Sequence, residues 1–147
     1  AHLRVTDETG RTLWVNGEMI AAGAARVRTW PDTIALNDTL LAMEGPAREG
    51  GLGLWGLPDY AVREVAEQAR SPVWGFSVLR GKANGHAWRS GTCTLTFADG
   101  FVAAIERSDA IACAEWGQAG QLRFRGWQGR EPAFDVSHPG LVEILPG

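Results

Sequence analysis

The sequence predicts an α+β protein made of two consecutive regions, residues 1–70 and 71–147. In the first region apolar residues recur at helical spacing, most clearly from Ile34 to Met43. After the segment Ala69-Arg70-Ser71-Pro72 the apolar pattern changes to that of short strands. Five such strands, with one helical insertion before the fourth, are typical of a small Greek-key β-barrel of the OB type.

The first region is expected to open with a hairpin, in which strands over 1–6 and 12–15 flank a turn at Asp7-Glu8-Thr9-Gly10. A short helix over 18–25 follows, and Gly23 near its end is a helix breaker.

A longer amphipathic helix is predicted over 34–48, with a kink or an early end near Gly45 because Pro46 disfavours a helix interior. The glycines at 50, 51 and 53 end this helix, so the chain turns back and Leu52, Leu54 and Trp55 are expected to enter the core. A further short helix is predicted over 59–68.

The second region is predicted to contain strands and one helix. The strands lie over 73–83, 92–97, 101–105, 121–127 and the pair 133–136 with 141–145, and the helix lies over 109–116. His86 and Trp88 are expected near an exposed hairpin tip, which makes Trp88 a candidate for partner contact. His138 before Pro139 fits a structural turn.

Composition places the chain among globular proteins, since 45% of the residues are hydrophobic and 21% are charged. The longest apolar runs are too short for a membrane-spanning helix. A net charge of −3 provides no global attraction to nucleic acid. Cys93 and Cys113 lack metal-site spacing, and both a disulfide and two buried thiols remain open. Because Ala1 opens the chain without Met or a signal-peptide core, we expect a processed or truncated chain, periplasmic or secreted if a signal has been lost.

Two motifs of the first region carry a resemblance to a known family. The run L-L-A-x-E-x-x-A-R-x-x-x-x-G-L-W begins at Leu40, and V-N-x-x-M-I-x-x-G-x-A-x-V spans 15–27. Both resemble the C-terminal part of staphylococcal-nuclease-like (thermonuclease) domains. The segments 123–127 (R-F-R-G-W) and 134–145 (F-D-V-S-H-P-G-L-V-E-I-L) are similar to the extra OB-like domain of bacterial thermonuclease-like proteins. The resemblance implies an incomplete OB-type (SNase-like) barrel with helices, followed by a second small OB-like barrel.

The family hydrolyses phosphodiesters with Ca²⁺ held by carboxylates, and the resemblance places those carboxylates on strands that precede this chain. No catalytic residue and no metal ligand is therefore carried over, and Ca²⁺ is expected only for a complete catalytic domain. The run Asp7-Glu8-Thr9-Gly10-Arg11 resembles the motif that holds the family's second arginine. That alignment leaves out a strand and a hairpin, so we expect a surface turn there instead.

Five residues are candidates for nucleic-acid contact. Arg28 and Trp30 lie where the family places base-stacking aromatics, although Trp30 equally suits packing against the following helix. Arg123, Arg125 and Trp127 form a basic and aromatic set on one predicted strand, and alternating arginines are also usual on the wet face of such a strand.

The first hypothesis for function is a part of a thermonuclease-like phosphodiesterase that supplies scaffold and single-stranded nucleic-acid contacts. The chain alone is not expected to cleave DNA or RNA. The alternative is a non-catalytic nuclease-like module for protein–protein or assembly contacts, which the acidic pI of about 5.6 favours. In either case the open first barrel is expected to need strands from an N-terminal fragment or another subunit.

Overall fold

The computed structural model describes residues 2–146, leaving aside the side chain of Thr33. Ala1 and Gly147, the outer ends of the two predicted regions, lie outside the described residues. The chain divides into two compact units, Ala1–Ala61 and Val62–Gly147, called here the first and the second unit. The division precedes the predicted linker because Arg63–Glu64 pairs with a strand of the second unit.

The first unit contains a hairpin, two α-helices and two short 3₁₀ segments. In chain order these are β1 (Arg4–Thr6), β2 (Thr12–Trp14), α1 (Val15–Ala21), the 3₁₀ segment Pro31–Thr33, α2 (Asn37–Glu49) and the 3₁₀ segment Gly53–Gly56. The predicted hairpin is confirmed, with β1 and β2 antiparallel. Asp7 fixes its turn, since its Oδ1 accepts bonds from the N–H groups of Thr9 and Arg11, both at 2.9 Å. Gly10 takes the left-handed conformation that the turn requires, with φ of 82°.

Helix α1 starts and ends earlier than predicted: it begins directly after β2 and stops at Ala21, ahead of Gly23, whose φ of 74° is not helical. Asn16 ties its first turn to the chain ahead of the hairpin, because its Oδ1 accepts the N–H of Leu3 at 2.8 Å. Ile20 of this helix forms a small buried core with Val27 and Leu41.

Helix α2 corrects two expectations. It begins at Asn37 rather than residue 34, because Leu36 adopts a left-handed φ of 65° that interrupts the helical path. The early end predicted near Gly45 is wrong, since the helix continues through Pro46 to Glu49. Proline removes one backbone hydrogen bond there, and burial of Glu44 and Ala47 anchors the same stretch.

The glycines after α2 allow a close backbone approach within the first unit. The N–H of Leu54 donates to Gly23 O at 2.9 Å, and a side chain at Gly23 or Gly53 would collide with the opposing backbone. The chain thereby turns back as predicted, and Trp55 is 5% exposed, which confirms its place in the core. The same prediction is wrong for Leu52, which is 48% exposed, and Leu54 is only partly buried.

The second unit contains eight strands and two helices. They are β3 (Arg63–Glu64), α3 (Val65–Arg70), β4 (Gly75–Gly81), β5 (Gly85–Arg89), β6 (Thr92–Thr96), β7 (Val102–Ile105), α4 (Ala110–Gln118), β8 (Leu122–Gln128), β9 (Phe134–Val136) and β10 (Val142–Ile144). The predicted helix over 59–68 is wrong in its first half, because Arg63 pairs in parallel with Leu79 of β4 before α3 begins.

The strands form one sheet in the order β3-β4-β8-β9-β7-β6-β5, with β10 also paired to β8. Neighbouring strands are antiparallel except for β3 with β4 and β7 with β9, which are parallel. The sheet curls into an open half-barrel, an α+β arrangement compatible with an OB-like barrel. Helix α4 lies before β8, as the sequence predicts, and Asp109 caps it by accepting the N–H of Ala112 at 2.8 Å.

The core of the second unit is built around four phenylalanine rings. Their neighbouring centroids lie 5.4 to 6.0 Å apart, and the rings belong to Phe97, Phe101, Phe124 and Phe134. A disulfide joins Cys93 of β6 to Cys113 of α4, so of the two open alternatives for these cysteines the structure has the bonded one.

Candidate functional site

Arg28 and Trp30 come together on an extended segment of the first unit. Side chains alternate along this segment, with Val27 and Thr29 buried and Arg28 and Trp30 exposed. The guanidinium carbon of Arg28 lies 4.5 Å from the ring centroid of Trp30, within cation–π range. Since Trp30 is 54% exposed, the pair offers one aromatic face and one positive charge at the surface.

A buried carboxylate fixes this segment against α2. Glu44 is fully buried, and its Oε2 accepts the N–H of Val27 at 2.8 Å. Its Oε1 accepts from Nη1 of Arg48, one helical turn later, also at 2.8 Å. The carboxylate is thus satisfied by a backbone donor and a guanidinium, and the alternation at 27–30 is held in place.

Arg26 binds the same segment to the end of the first unit. Its Nη1 donates to Tyr60 O at 2.9 Å, and its guanidinium carbon lies 5.1 Å from the Tyr60 ring centroid. Arg28 and Trp30 therefore project from a segment whose preceding residues, Arg26 and Val27, are held by hydrogen bonds.

The arginines predicted on β8 have their charges engaged inside the second unit. Arg123 forms a two-point ion pair with Glu143 of β10, at 2.8 and 3.1 Å. Arg125 is fully buried, with Nη2 at 3.9 Å from the same carboxylate. The sequence offered two interpretations of Arg125, a nucleic-acid contact or a residue on the solvent-exposed face of the strand. Both are wrong, because Arg125 is buried in β8.

Trp127 is the one member of the β8 set that stays substantially exposed, at 46%. It borders a surface cavity of about 360 Å³ together with residues of β7, β9 and the connection between β8 and β9. Two alanines, Ala104 and Ala133, line this cavity as well. Its charged lining residues are acidic: Glu106, Glu131 and Asp135.

Glu106 and Asp135 interact directly in this cavity. Burial raises the pKa of Glu106, and the hydrogen bond and negative charge of Asp135 raise it further. Arg107 opposes this shift by lowering the same pKa. The carboxyl pair is therefore a site of like-charge repulsion beside an aromatic ring.

Two other residues singled out in the sequence have structural partners. The predicted hairpin tip at His86 and Trp88 is instead the strand β5, which pairs with β6. Trp88 is 44% exposed there, and its Nε1–H donates to Ser108 O at 3.1 Å. His138 accepts the N–H of Gly140 through Nδ1 at 2.9 Å, which confirms its place in a turn.

Side chains able to hold a metal ion are not clustered in the described residues. Across residues 2–146 no three His, Cys, Asp or Glu side chains are grouped so that they could hold a metal ion. Asp7, at the resembling motif, instead uses its carboxylate within the hairpin turn. In the same range no helix has the length and apolar character needed to cross a membrane.

Two features of these surfaces escaped sequence reasoning. Glu44 is part of the motif at 40–55, but only the fold shows that its carboxylate is buried and accepts the N–H of Val27. Glu106 and Asp135 are far apart in sequence and meet because β7 and β9 pair in parallel, with Ala104 opposite Asp135.

Comparison of the chain with protein-family models, with curated proteins and with solved structures gives no match. The resemblance to thermonuclease-like proteins therefore rests on the sequence motifs alone.

Proposed function

We propose that the chain is the scaffold and nucleic-acid-contacting part of a thermonuclease-like phosphodiesterase. The observation that carries this proposal is the exposed Arg28–Trp30 pair, at 4.5 Å, on a segment anchored by buried Glu44. Catalysis belongs to strands that lie outside this chain.

The chemistry of the pair suits a single strand. An aromatic face stacks on any base, which contributes roughly 1–3 kcal/mol per base. A guanidinium beside the ring offers charge and hydrogen-bond donors to a phosphate. Because the segment is anchored beforehand by Val27, binding needs little additional ordering of the backbone.

The first unit fits an SNase-like barrel that lacks strands. Its hairpin has two strands, and β1 pairs only with β2 among the described strands. Leu3 and Val5 at the hairpin are 58% and 45% exposed, and Met19 of α1 is 46% exposed. Further strands supplied by an N-terminal fragment or another subunit would cover these apolar groups and extend the open edge.

The pairing in the second unit supports an OB-like barrel. The sheet path runs from β4 through β8, β9, β7 and β6 to β5, and β4 and β5 are neighbours in sequence. With β4 and β5 counted as one bent strand, and the short strands β3 and β10 set aside, five strands remain with a helix before the fourth, the order of a Greek-key OB barrel.

Binding of a labelled single-stranded oligonucleotide, followed by fluorescence anisotropy at low and moderate salt, tests the proposal. We expect Trp30→Ala to weaken binding about tenfold, the effect of losing one stacked base of ~1.4 kcal/mol. Arg28→Ala should reduce both affinity and its salt dependence. Trp74→Ala removes a more exposed tryptophan, 65% accessible, from the second unit and serves as the matched control.

Equal effects of Trp30→Ala and Trp74→Ala would refute the proposed contact. The same protein incubated with Ca²⁺ and DNA or RNA should show no cleavage above background, and cleavage by the purified chain would refute the division of labour.

The second candidate function is a non-catalytic module for protein–protein contacts. The acidic, aromatic cavity of the second unit favours it, because three carboxylates around Trp127 repel a phosphate backbone.

A further inference from the structure

We propose that the cavity beside Trp127 in the second unit binds an arginine side chain of a partner protein. This inference is independent of the nucleic-acid contact proposed for the first unit. It rests on the shape of the cavity, on its aromatic wall and on the sign of its charge.

The volume and the small lining residues of the cavity suit a single inserted side chain. Its volume of about 360 Å³ is near the lower end of the ~300–1,000 Å³ usual for ligand pockets. Three of its lining residues are small, namely Ala104, Gly129 and Ala133, which leaves space beside the larger side chains. A segment with one inserted side chain fits this space better than a stacked oligonucleotide does.

The wall offers an aromatic surface for a planar cation. Trp127 is 46% exposed, and its ring lies beside Gly75 of β4. A guanidinium stacks on indole through cation–π attraction, and tryptophan is the strongest of the aromatic partners.

The charge of the lining is complementary to such a cation. Glu106, Glu131 and Asp135 border the cavity, and Glu106 and Asp135 repel each other when both are ionised. A bound guanidinium would relieve that repulsion and donate two parallel N–H hydrogen bonds to the carboxylate oxygens. Arg107, next to Glu106 in sequence, already offsets part of this negative charge, and Arg130 is next to Glu131.

The same features disfavour other ligands. The described carboxylates are not grouped as metal ligands, so an organic cation suits them better than Ca²⁺. A phosphate would meet three negative side chains. A lysine ammonium lacks the planar fork that stacks on the ring and pairs with a carboxylate at the same time.

The experiment is an NMR titration of the full ¹⁵N-labelled chain with acetyl-Gly-Arg-Gly-amide. The indole N–H of Trp127 is assigned from its loss in Trp127→Phe. We expect this signal and the amides of 104–106 and 129–135 to shift together. The citrulline peptide, which has the same shape without the charge, should bind at least tenfold more weakly, and the lysine peptide should fall between the two.

Variants separate charge from fold. Asp135→Asn and Glu131→Gln should each weaken arginine-peptide binding several-fold. Glu115→Gln, at an exposed position of α4, removes an equal charge elsewhere and should leave binding unchanged. Spectra of each variant away from the cavity confirm that it is folded.

Equal binding of the arginine and citrulline peptides would overturn the proposal, as would equal effects of Asp135→Asn and Glu115→Gln. Shifts at this cavity caused by a single-stranded oligonucleotide but not by the arginine peptide would also overturn it. Loss of oligonucleotide binding in Trp30→Ala leaves these outcomes unaffected, so the two proposals fail separately.

Discussion

Replacing Glu44 tests whether a buried carboxylate holds the Arg28–Trp30 segment. In Glu44→Ala the N–H of Val27 loses its acceptor, and Arg48, whose side chain is 9% exposed, loses its counter-ion. An exposed pair at this i,i+4 spacing would contribute only about 0.3–0.5 kcal/mol. Both partners here are buried, so the larger cost of breaking a buried pair applies, about 3–5 kcal/mol.

Amide hydrogen exchange of the full chain measures this cost at the position concerned. A loss of about 3 kcal/mol in local stability speeds exchange at Val27 roughly 100-fold, since each 1.36 kcal/mol is a factor of ten. Glu49→Ala, one turn away on the exposed side of α2, is the matched control and should change exchange little, within about 0.5 kcal/mol.

Unchanged protection of Val27 in Glu44→Ala, or equal effects of Glu44→Ala and Glu49→Ala, would refute the reasoning. The segment at 27–30 would then be ordered by other contacts, and Glu44 would not be what holds Arg28 and Trp30 in place.

Two further predictions concern the second unit. Reduction of the Cys93–Cys113 bond, which closes a separation of 20 residues, should lower its stability by about 3 kcal/mol on the chain-entropy account; urea unfolding of the oxidised and reduced chain measures this, and coincident midpoints would count against it. Glu106→Gln removes the charge repelled by Asp135 and should raise the free energy of unfolding at neutral pH. The gain should be at most about 1 kcal/mol, because Glu106 is exposed and solvent screens the repulsion. The raised pKa of Glu106 in the folded state means that wild-type stability falls as pH rises from the ordinary glutamate range through that pKa. The gain should therefore vanish below pH 4, and a pH-independent difference would contradict the cause.

Local patterns predicted most of the strands and the helix before β8. Strand alternation at 92–97 and the Asp99-Gly100 turn are short-range signals, and β6 and β7 lie there. Proline at position 46 is also a local signal, but it misled, because anchoring of α2 by Glu44 outweighs one missing hydrogen bond. The helical pattern at 59–68 includes Arg63, whose parallel pairing with Leu79 is a tertiary contact. Such a contact leaves no local signal in the sequence.

The candidate surfaces were predicted in part. Arg28 and Trp30 are two residues apart on an extended segment, so their common face follows from the strand period. The same period placed Arg123, Arg125 and Trp127 together, but it does not tell which member is covered or meets a carboxylate from another strand. Glu106 and Asp135 needed the pairing of β7 with β9 to become neighbours.

The disulfide also decides what a backbone cut would do to the second unit. Residues 93–113 form a covalent ring that contains β7, the strand between β6 and β9. A single protease cut, in the turn before β7 or in the turn after it, opens the ring without releasing a fragment. Both pieces migrate as one species until the bond is reduced, so the strand that carries Ala104 toward the cavity stays tethered to its neighbours.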